Sequence, residues 1–176
     1  MTTATALAET IQGLVAHVKA NPADANATYK AKVIWDHGVQ CSGFVRKFSP
    51  IVVDEPPMLG GNDAGPNPVE LLLVSLGACQ ELVYGIYASM MGIELDSITV
   101  YVKGHLDVRG FMGEPGIPPG YQKITYDTRI ESQADAEAIA TLVRTVEACC
   151  PTMDTLKRPI EVEGKAFLNG TPIATA

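Results

Sequence analysis

Two cysteines occupy positions at which a thiol is able to react. Cys79 lies inside a long apolar stretch and directly precedes a Gln-Glu pair, and Cys150 directly precedes Pro151. The thiolate is the nucleophilic form of cysteine, so a thiol that an apolar helix presents beside polar groups is a candidate reactive sulfur. An inert core residue is the competing interpretation of Cys79, because cysteine is often buried as a small hydrophobe.

The other two cysteines are Cys41 and Cys149. The sequence contains no CxxC pair and no recognised zinc spacing, so we predict no metal site. Cys41 is interpreted as a structural residue of a strand. A disulfide between adjacent cysteines is strained, so Cys149 is expected to point into the core. No catalytic triad is predicted for the three histidines, which are His17, His37 and His105.

The element that must position Cys79 is a helix that begins near residue 68. Asn67 is a suitable N-cap, Pro68 suits the first helical position, and Gly92 marks the end after about six turns. The segment 69–76 is apolar almost all round, which predicts a core helix buried on every side. A membrane span is the alternative, but the polar residues at 70, 80 and 81 disfavour it.

The pattern around this helix predicts an α+β fold with antiparallel pairing. Hydrophobic residues repeat at helical spacing over residues 5–20, and this helix needs a partner on its own domain or on a second subunit. Three strands are expected at 29–35, 39–48 and 51–53. Two more follow at 97–108 and 122–130, then a helix at 134–149 capped by Ser132, a short turn at 152–156, and a strand at 160–168 that closes the sheet.

The composition favours one folded domain with an N-terminal extension. The chain has 176 residues and is 47% hydrophobic, and we divide it into residues 1–28 and 29–176. Thirteen basic and twenty acidic residues give a net charge of −7, which disfavours nucleic acid as a partner. We expect no membrane partner. Because no signal-peptide pattern is present, a cytoplasmic location is expected.

Two motifs resemble those of the OsmC and organic hydroperoxide resistance (Ohr) family. One is Gly-Pro-Asn-Pro-Val-Glu-Leu-Leu-Leu-Val-Ser-Leu-Gly-Ala-Cys, which ends at Cys79, and the other is Cys-Cys-Pro-Thr-Met-Asp-Thr-Leu, which contains Cys150. They lie about seventy residues apart, in the family's order. The Asp54-Glu55-Pro56 and Leu59-Gly60-Gly61 segments are similar to the branch called YhfA-like.

The resemblance implies a fold, an assembly and a reaction. The fold has antiparallel sheets wrapped around a long central helix, in an intertwined homodimer with two equivalent sites at the subunit interface. Cys79 would be the peroxidatic thiol and Cys150 the resolving thiol, with an organic hydroperoxide as substrate and an external dithiol as reductant. A peroxidatic thiol needs a cation or donors nearby. Arg46, expected on the second strand, is the candidate cation.

The sequence departs from the family motifs at two positions. Val69 stands where members with strong reductase activity have a Glu that orients the arginine, so Glu70 or Glu55 is expected to serve instead. Glu147 stands where a His is usual, three residues before the second cysteine.

Three functions remain open from the sequence. The first is a peroxidase of the OsmC type, which needs no cofactor. The second is a redox-sensing or apolar-ligand-binding protein without efficient turnover, from which an enzyme differs by cycling with a dithiol. The third is an enzyme in which Cys79 attacks an electrophilic carbon, which a covalent adduct would reveal.

Overall fold

A computed structural model describes residues 3–173 of the chain. It contains five α-helices and seven strands in the order α1 (Thr3–Ala20), β1 (Lys32–His37), β2 (Gln40–Phe44), β3 (Ile51–Val53), α2 (Pro68–Met91), β4 (Ser97–Leu106), α3 (Val108–Phe111), β5 (Tyr121–Glu131), α4 (Ala136–Cys149), α5 (Pro151–Lys157), β6 (Ala166–Leu168) and β7 (Thr171–Ile173).

The central helix α2 begins and ends where its terminal residues predict. The Asn67 side chain accepts a hydrogen bond from the Glu70 N–H at 2.9 Å, and the Glu70 carboxylate accepts one from the Asn67 N–H at 2.9 Å. This reciprocal capping box satisfies two backbone donors that the first helical turn leaves unpaired. At the other end Gly92 adopts a left-handed conformation with φ 69°, which glycine tolerates without steric cost.

The core lies between α2, the β4–β5 hairpin and α4. Its buried residues are Val83, Tyr84, Ala88, Leu142 and Val146. Gly77 brings α2 close to β4, because a Cβ at this position would lie 3.3 Å from a methyl carbon of Val102.

The prediction that α2 is buried on every side is wrong for the single chain. Val74 is 61% exposed and Leu82 is 70% exposed, so one face of the helix packs on this core and another is open. By length and composition α2 is the one helix within residues 3–173 that meets the criteria of a membrane span, as core helices also do. Its Glu81 carboxylate accepts a hydrogen bond from the backbone N–H of Val100 at 3.3 Å. Helix α1 packs against α2 of its own chain.

The first three strands form the predicted antiparallel sheet in the order β1-β2-β3. Strand β2 ends at Phe44, earlier than the expected 39–48, because Arg46 adopts a left-handed backbone with φ 50° and the Phe48 N–H closes a turn onto the Val45 carbonyl. Arg46 therefore lies in a turn and not on the second strand. Much of this sheet is exposed, and Trp35 is 71% exposed.

The loop between β3 and α2 is folded around a buried carboxylate. Asp54 is 1% exposed and accepts hydrogen bonds from the N–H groups of Glu55, Asn62 and Ala64. These bonds, of which that from Asn62 has the largest effect, hold the pKa of Asp54 below its usual value. Gly61 closes the loop, because its Cα faces the Glu55 carbonyl so closely that no side chain fits.

Two predictions about the second half of the chain need correction. Helix α4 is capped by Asp135, which accepts from the Ala138 N–H at 2.8 Å, whereas Ser132 accepts from the Ala134 N–H before the helix begins and donates to the Glu94 carbonyl. Residues 160–168 do not close a sheet, because β6 pairs with β7 in a separate hairpin. The cause is the Asn169-Gly170 turn, in which both residues have positive φ, so the segment folds back on itself.

Candidate functional site

The fold brings Cys79 and Cys150 together although 71 residues separate them. Cys79 lies midway along α2, and the Cys150 thiol donates a hydrogen bond to its sulfur at 3.4 Å. All four cysteines are free thiols. A disulfide would require the two sulfurs to approach to about 2.05 Å, so the structure shows the reduced pair in contact.

Cys150 is held at the junction of α4 and α5 by the proline that follows it. Pro151 disfavours a helical conformation at the residue before it, and Cys150 is extended with φ −75° and ψ 113°. Helix α4 therefore ends at Cys149, and the chain turns so that α5 packs on α2. This turn places Cys150 against α2, where it is 1% exposed.

The surroundings of the thiol pair are largely apolar. Cys150 forms a buried cluster with Leu76 and Met153, and Cys79 packs against this cluster together with Val102, Ile124 and Tyr126. Cys79 is more exposed than Cys150. A reagent from solution is therefore expected to reach Cys79 first.

Hydrogen bonds make Cys79 the more acidic of the two thiols. Burial raises the pKa of Cys79, but the hydroxyl and the backbone N–H of Thr152 and the thiol of Cys150 donate hydrogen bonds to its sulfur, and these lower the pKa to a net value below the usual one. For Cys150, burial and the neighbouring Cys79 raise the pKa and outweigh the hydrogen bonds from the backbone of Met153 and Thr152. Cys79 is thus the thiol of the pair that ionises more readily.

Thr152 is a site residue that no pattern in the sequence identified. Its one signal was its place two residues after Cys150, within the second motif. It contacts Cys79 because the turn at Pro151 directs the start of α5 toward α2.

We predict that Thr152→Val raises the pKa of Cys79, because the variant loses the hydroxyl donor and keeps the backbone N–H. Less thiolate is then present at neutral pH, so alkylation of Cys79 by iodoacetamide should slow several-fold at pH 7 and recover at higher pH. The measurement is the rate of Cys79 alkylation against pH, read by peptide mass spectrometry.

Thr155→Val is the matched control for this prediction. It removes a hydroxyl from the same helix, one that donates to the Pro151 carbonyl and not to Cys79. An unchanged pH profile in Thr152→Val would contradict the role of the hydroxyl.

The predicted carboxylates meet at the start of α2 and not at the thiols. Glu70 belongs to the capping box on Asn67, and Glu55 accepts a hydrogen bond from the Asn67 side chain at 3.4 Å. Cys79 lies nine residues after Glu70 on the same helix. Arg46 lies over the ring of Phe48, 4.5 Å from its centroid. Within residues 3–173 of this one chain, no cation is among the groups that shift the pKa of Cys79.

The remaining cysteines lie outside the thiol pair. Cys41 is half-buried on β2, opposite Val53. The expectation that Cys149 points into the core is wrong, because Cys149 is exposed on the last turn of α4. It is hydrogen-bonded to the hydroxyl of Tyr87, and this bond raises the pKa of Tyr87.

A phenol packs on the cluster that contains Cys150 and is hydrogen-bonded to a carboxylate. The Tyr126 hydroxyl, from β5, donates a hydrogen bond to Glu147, which lies three residues before Cys150 on α4. Burial raises the pKa of Tyr126, and so do this hydrogen bond and the charge of Glu147. The phenol therefore keeps its proton.

Two cavities adjoin these groups. A cavity of about 290 Å³ adjoins the apolar shell of the thiol pair without being lined by either cysteine, and its lining is Leu76, Tyr121, Gln122, Lys123, Ile124, Tyr126, Met153, Leu156 and Lys157. A smaller one of about 180 Å³ lies at the start of α2, next to Glu55 and Asn67, and is mostly apolar. Across the described part of the chain, no group of three or more His, Cys, Asp or Glu residues is arranged to hold a metal ion.

The sequence and the fold are similar to known proteins. Residues 60–165 match the family model described as OsmC-like protein. An OsmC-like protein from Mycoplasma pneumoniae has a similar structure, with a TM-score of 0.64, 20% identity, and coverage of 75% of this chain and 89% of that one. No curated protein sequence matches the chain.

Two further structures carry more specific names. One is an organic hydroperoxide resistance protein OsmC from Legionella pneumophila, also named a predicted redox protein, with a TM-score of 0.58, 21% identity, and coverage of 74% of this chain and 90% of that one. The other is an organic hydroperoxide resistance protein from Elizabethkingia anophelis, with a TM-score of 0.58, 18% identity, and coverage of 75% and 89%. At these identities the likeness concerns the fold.

Proposed function

Because this chain belongs to the OsmC-like protein family, and because its two motif cysteines touch, we propose that it is a thiol-dependent peroxidase that reduces organic hydroperoxides. The observation that carries the proposal is the 3.4 Å contact between two free thiols whose pKa values are shifted in opposite directions. Two neighbours in fold are named organic hydroperoxide resistance proteins, which supports the choice of substrate class.

The proposed cycle begins at Cys79. Its thiolate attacks the terminal oxygen of the hydroperoxide, the O–O bond breaks, and the other oxygen takes a proton from solvent and leaves as an alcohol. Cys79 is then a sulfenic acid. Cys150 attacks this sulfur, the S–O bond breaks, and a disulfide and water are formed. An external dithiol reduces the disulfide by exchange and restores both thiols.

The surroundings favour a peroxide with an apolar organic part. The cavity of about 290 Å³ shares Leu76, Ile124 and Met153 with the shell of the thiol pair. Burying apolar carbon against these side chains is favourable by about 25 cal/mol per Å², a gain that hydrogen peroxide cannot make. The proposed reaction needs no cofactor. We place it in the cytoplasm, where the reducing compartment keeps thiols free.

We propose that the working unit is a homodimer. Only 22% of an apolar 18-residue stretch of α2 is buried within the chain. Leu82, on the surface of this helix, is 70% exposed. The sheet of β1, β2 and β3 and the hairpin of β6 and β7 also expose large apolar side chains, among them Trp35 and Phe167. Apolar surface of this extent on one protein marks an interface. In such an assembly Arg46 of one protomer is the candidate cation for a Cys79.

In analytical ultracentrifugation we expect the wild type to have twice the chain mass of 18.7 kDa. Leu82→Glu is expected to be a monomer, because dimerisation would bury the new carboxylate in the interface without a partner. Glu94→Gln, at an exposed position beyond α2, is the control that should leave the mass unchanged. A wild-type monomer at micromolar concentration would contradict the proposal.

The experiment that tests the proposed activity is a titration of the reduced wild type with cumene hydroperoxide. One equivalent should consume two thiols and form the Cys79–Cys150 disulfide, identified by peptide mass spectrometry, and a dithiol such as dihydrolipoamide should sustain turnover. Unreacted Cys79 after addition of peroxide would overturn the proposal.

The second candidate function is a redox sensor on the same fold. It is favoured by the absence of a cation from the groups that act on Cys79 within residues 3–173. A sensor oxidises once and is reduced slowly, so steady consumption of hydroperoxide at substoichiometric protein excludes it, whereas one round of thiol loss without cycling supports it.

A further inference from the structure

A tyrosine ring lies between the shell of the thiol pair and the smaller of the two cavities. Val102, Gly104 and Leu106 follow one another on the half-buried face of β4. Val102 belongs to the shell of the thiol pair, and Leu106 lines the cavity of about 180 Å³. The ring of Tyr121 covers Gly104, because a Cβ on this glycine would lie 2.3 Å from a ring carbon. The ring therefore separates the two regions along the strand.

A β-bulge places Tyr121 on this face of the hairpin. In the β4–β5 ladder His105 pairs with Lys123 and Leu106 pairs with Tyr121, so Gln122 is an extra residue on β5. Directly opposite residues share a face of the sheet, so a regular ladder would place Gln122 beside Leu106 and turn Tyr121 away. A bulge is a common means of redirecting a side chain.

The hydroxyl of Tyr121 holds the ring against the start of α2. It donates a hydrogen bond to the Val69 carbonyl at 3.0 Å. Burial and the charge of Glu70 raise the pKa of Tyr121, so the phenol keeps the proton that it donates. Val69 lines the smaller cavity, and Leu76, two turns or about 10 Å further along α2, lines the cavity of about 290 Å³. Tyr121 thus bridges β5 and α2 between the two cavities.

The smaller cavity is suited to the end of an alkyl chain. Its two polar side chains, Glu55 and Asn67, are hydrogen-bonded to each other at 3.4 Å. The rest of its lining is apolar and consists of Leu59, Val69, Leu106, Val108, Phe111 and Pro119.

We propose that Tyr121 is a specificity-determining residue, which closes the larger cavity toward the smaller one and thereby limits the length of the apolar group on the hydroperoxide. The inference rests on the proposed function and narrows its substrate class to compact branched or aromatic hydroperoxides. With the ring in place, the end of a long linear chain stays in water. Without the ring, the two cavities form one apolar slot, and each further methylene buried in it raises the affinity about fourfold.

The test compares two hydroperoxides on the full-length protein in dithiol-driven turnover. Cumene hydroperoxide is compact and aromatic, and decyl hydroperoxide carries a long linear chain. The quantity measured is the selectivity, defined as kcat/KM for decyl hydroperoxide divided by kcat/KM for cumene hydroperoxide. The test variants are Tyr121→Phe, Tyr121→Leu and Tyr121→Ala, in which the side chain becomes progressively smaller.

We expect the selectivity to rise at least about tenfold in Tyr121→Ala, the effect of two further buried methylenes, through a lower KM for decyl hydroperoxide. Tyr121→Leu should show a smaller rise, and it carries the test if the alanine variant fails to fold. Tyr121→Phe keeps the ring over Gly104 and should stay within about threefold of the wild type.

Tyr101→Leu and Tyr101→Ala are the matched controls. They make the same changes on the opposite face of β4, where the ring of Tyr101 is 53% exposed and stacks under Arg129. Both variants are expected to keep the selectivity of the wild type.

Binding of the alcohol products gives a second readout that requires no turnover. Decanol and cumyl alcohol are titrated into the reduced wild type and into Tyr121→Leu in a calorimeter. The affinity for decanol relative to that for cumyl alcohol should be higher in the variant, in the same direction as the selectivity.

A selectivity close to that of the wild type in both Tyr121→Leu and Tyr121→Ala, or an equal rise in the Tyr101 variants, would overturn the role of Tyr121 and leave the peroxidase intact. Absence of turnover with both hydroperoxides in the wild type would instead overturn the proposed function. The relative affinities for the two alcohols would then decide by themselves whether Tyr121 closes the cavity.

Discussion

Cys79→Ser is expected to lose its reaction with cumene hydroperoxide, with a rate at least about 10³-fold below that of the wild type. A serine hydroxyl does not ionise at neutral pH, so the hydrogen bonds of Thr152 that favour the Cys79 thiolate have no anion to stabilise. Cys150 cannot substitute, because burial raises the pKa of its thiol and withdraws it from solvent. The measurement is the loss of free thiols after one equivalent of hydroperoxide.

Cys150→Ser is the partner experiment. This variant keeps the reactive sulfur but lacks the resolving one, so it should consume one thiol instead of two and accumulate a Cys79 sulfenic acid that dimedone traps. Excess peroxide should then carry it to the sulfinic acid. Dithiol-driven turnover should be strongly reduced, as reduction must proceed directly on the sulfenic sulfur.

Cys41→Ser is the matched control, because Cys41 is a half-buried thiol on β2. It should retain the wild-type stoichiometry and turnover. If Cys79→Ser reacted as fast as this control, another thiol would be the peroxidatic one and the proposed cycle would be wrong.

Gly61→Ala is expected to lower the free energy of unfolding by about 3 kcal/mol. A Cβ at this position would lie 1.7 Å from the carbonyl oxygen of Glu55 and 2.8 Å from a carboxylate oxygen of Asp54. The first atom belongs to the backbone, so the overlap is relieved only if the loop opens. An open loop gives up the bonds from Asn62 and Ala64 to the buried Asp54 carboxylate.

Urea denaturation followed by circular dichroism measures this effect. Gly120→Ala is the control, since a Cβ there meets no atom within 4 Å, and its stability should stay within about 0.5 kcal/mol of wild type. A stability of Gly61→Ala equal to that of the control would show that the loop adapts without cost, and that its close approach to Glu55 is not required.

Local signals in the sequence were sufficient for the central helix. Asn67, Pro68 and Gly92 each act on the backbone within a few residues of their own position, so both ends of α2 were predictable. The pairing of β1, β2 and β3 was predictable for the same reason, because short turns join these strands. Assignment to the OsmC-like family likewise rests on two local motifs.

Predictions that depended on choosing between competing local partners were less accurate. Ser132 and Asp135 are both good N-caps; Asp135 accepts from the Ala138 N–H at the helix start, whereas Ser132 accepts from the Ala134 N–H ahead of the helix and donates to the Glu94 carbonyl on another segment. Cys149 and Cys150 are adjacent, and the direction in which α4 faces the core decides that Cys150 is buried and Cys149 exposed. Arg46 lies in a turn and not on the expected strand, and no strong turn residue in the sequence marks this turn.

The sequence by itself determined the central helix, the antiparallel pairing, the two motif cysteines and the family. Only the tertiary structure decided that Thr152 donates to Cys79, that Tyr126 bonds to Glu147, and that Glu55 and Glu70 meet on Asn67 away from the thiols. The physical reason is the separation along the chain over which each kind of interaction acts. Helix caps, turns and periodicity act over a few residues, whereas the pKa of a thiol depends on side chains that packing brings together from distant parts of the chain.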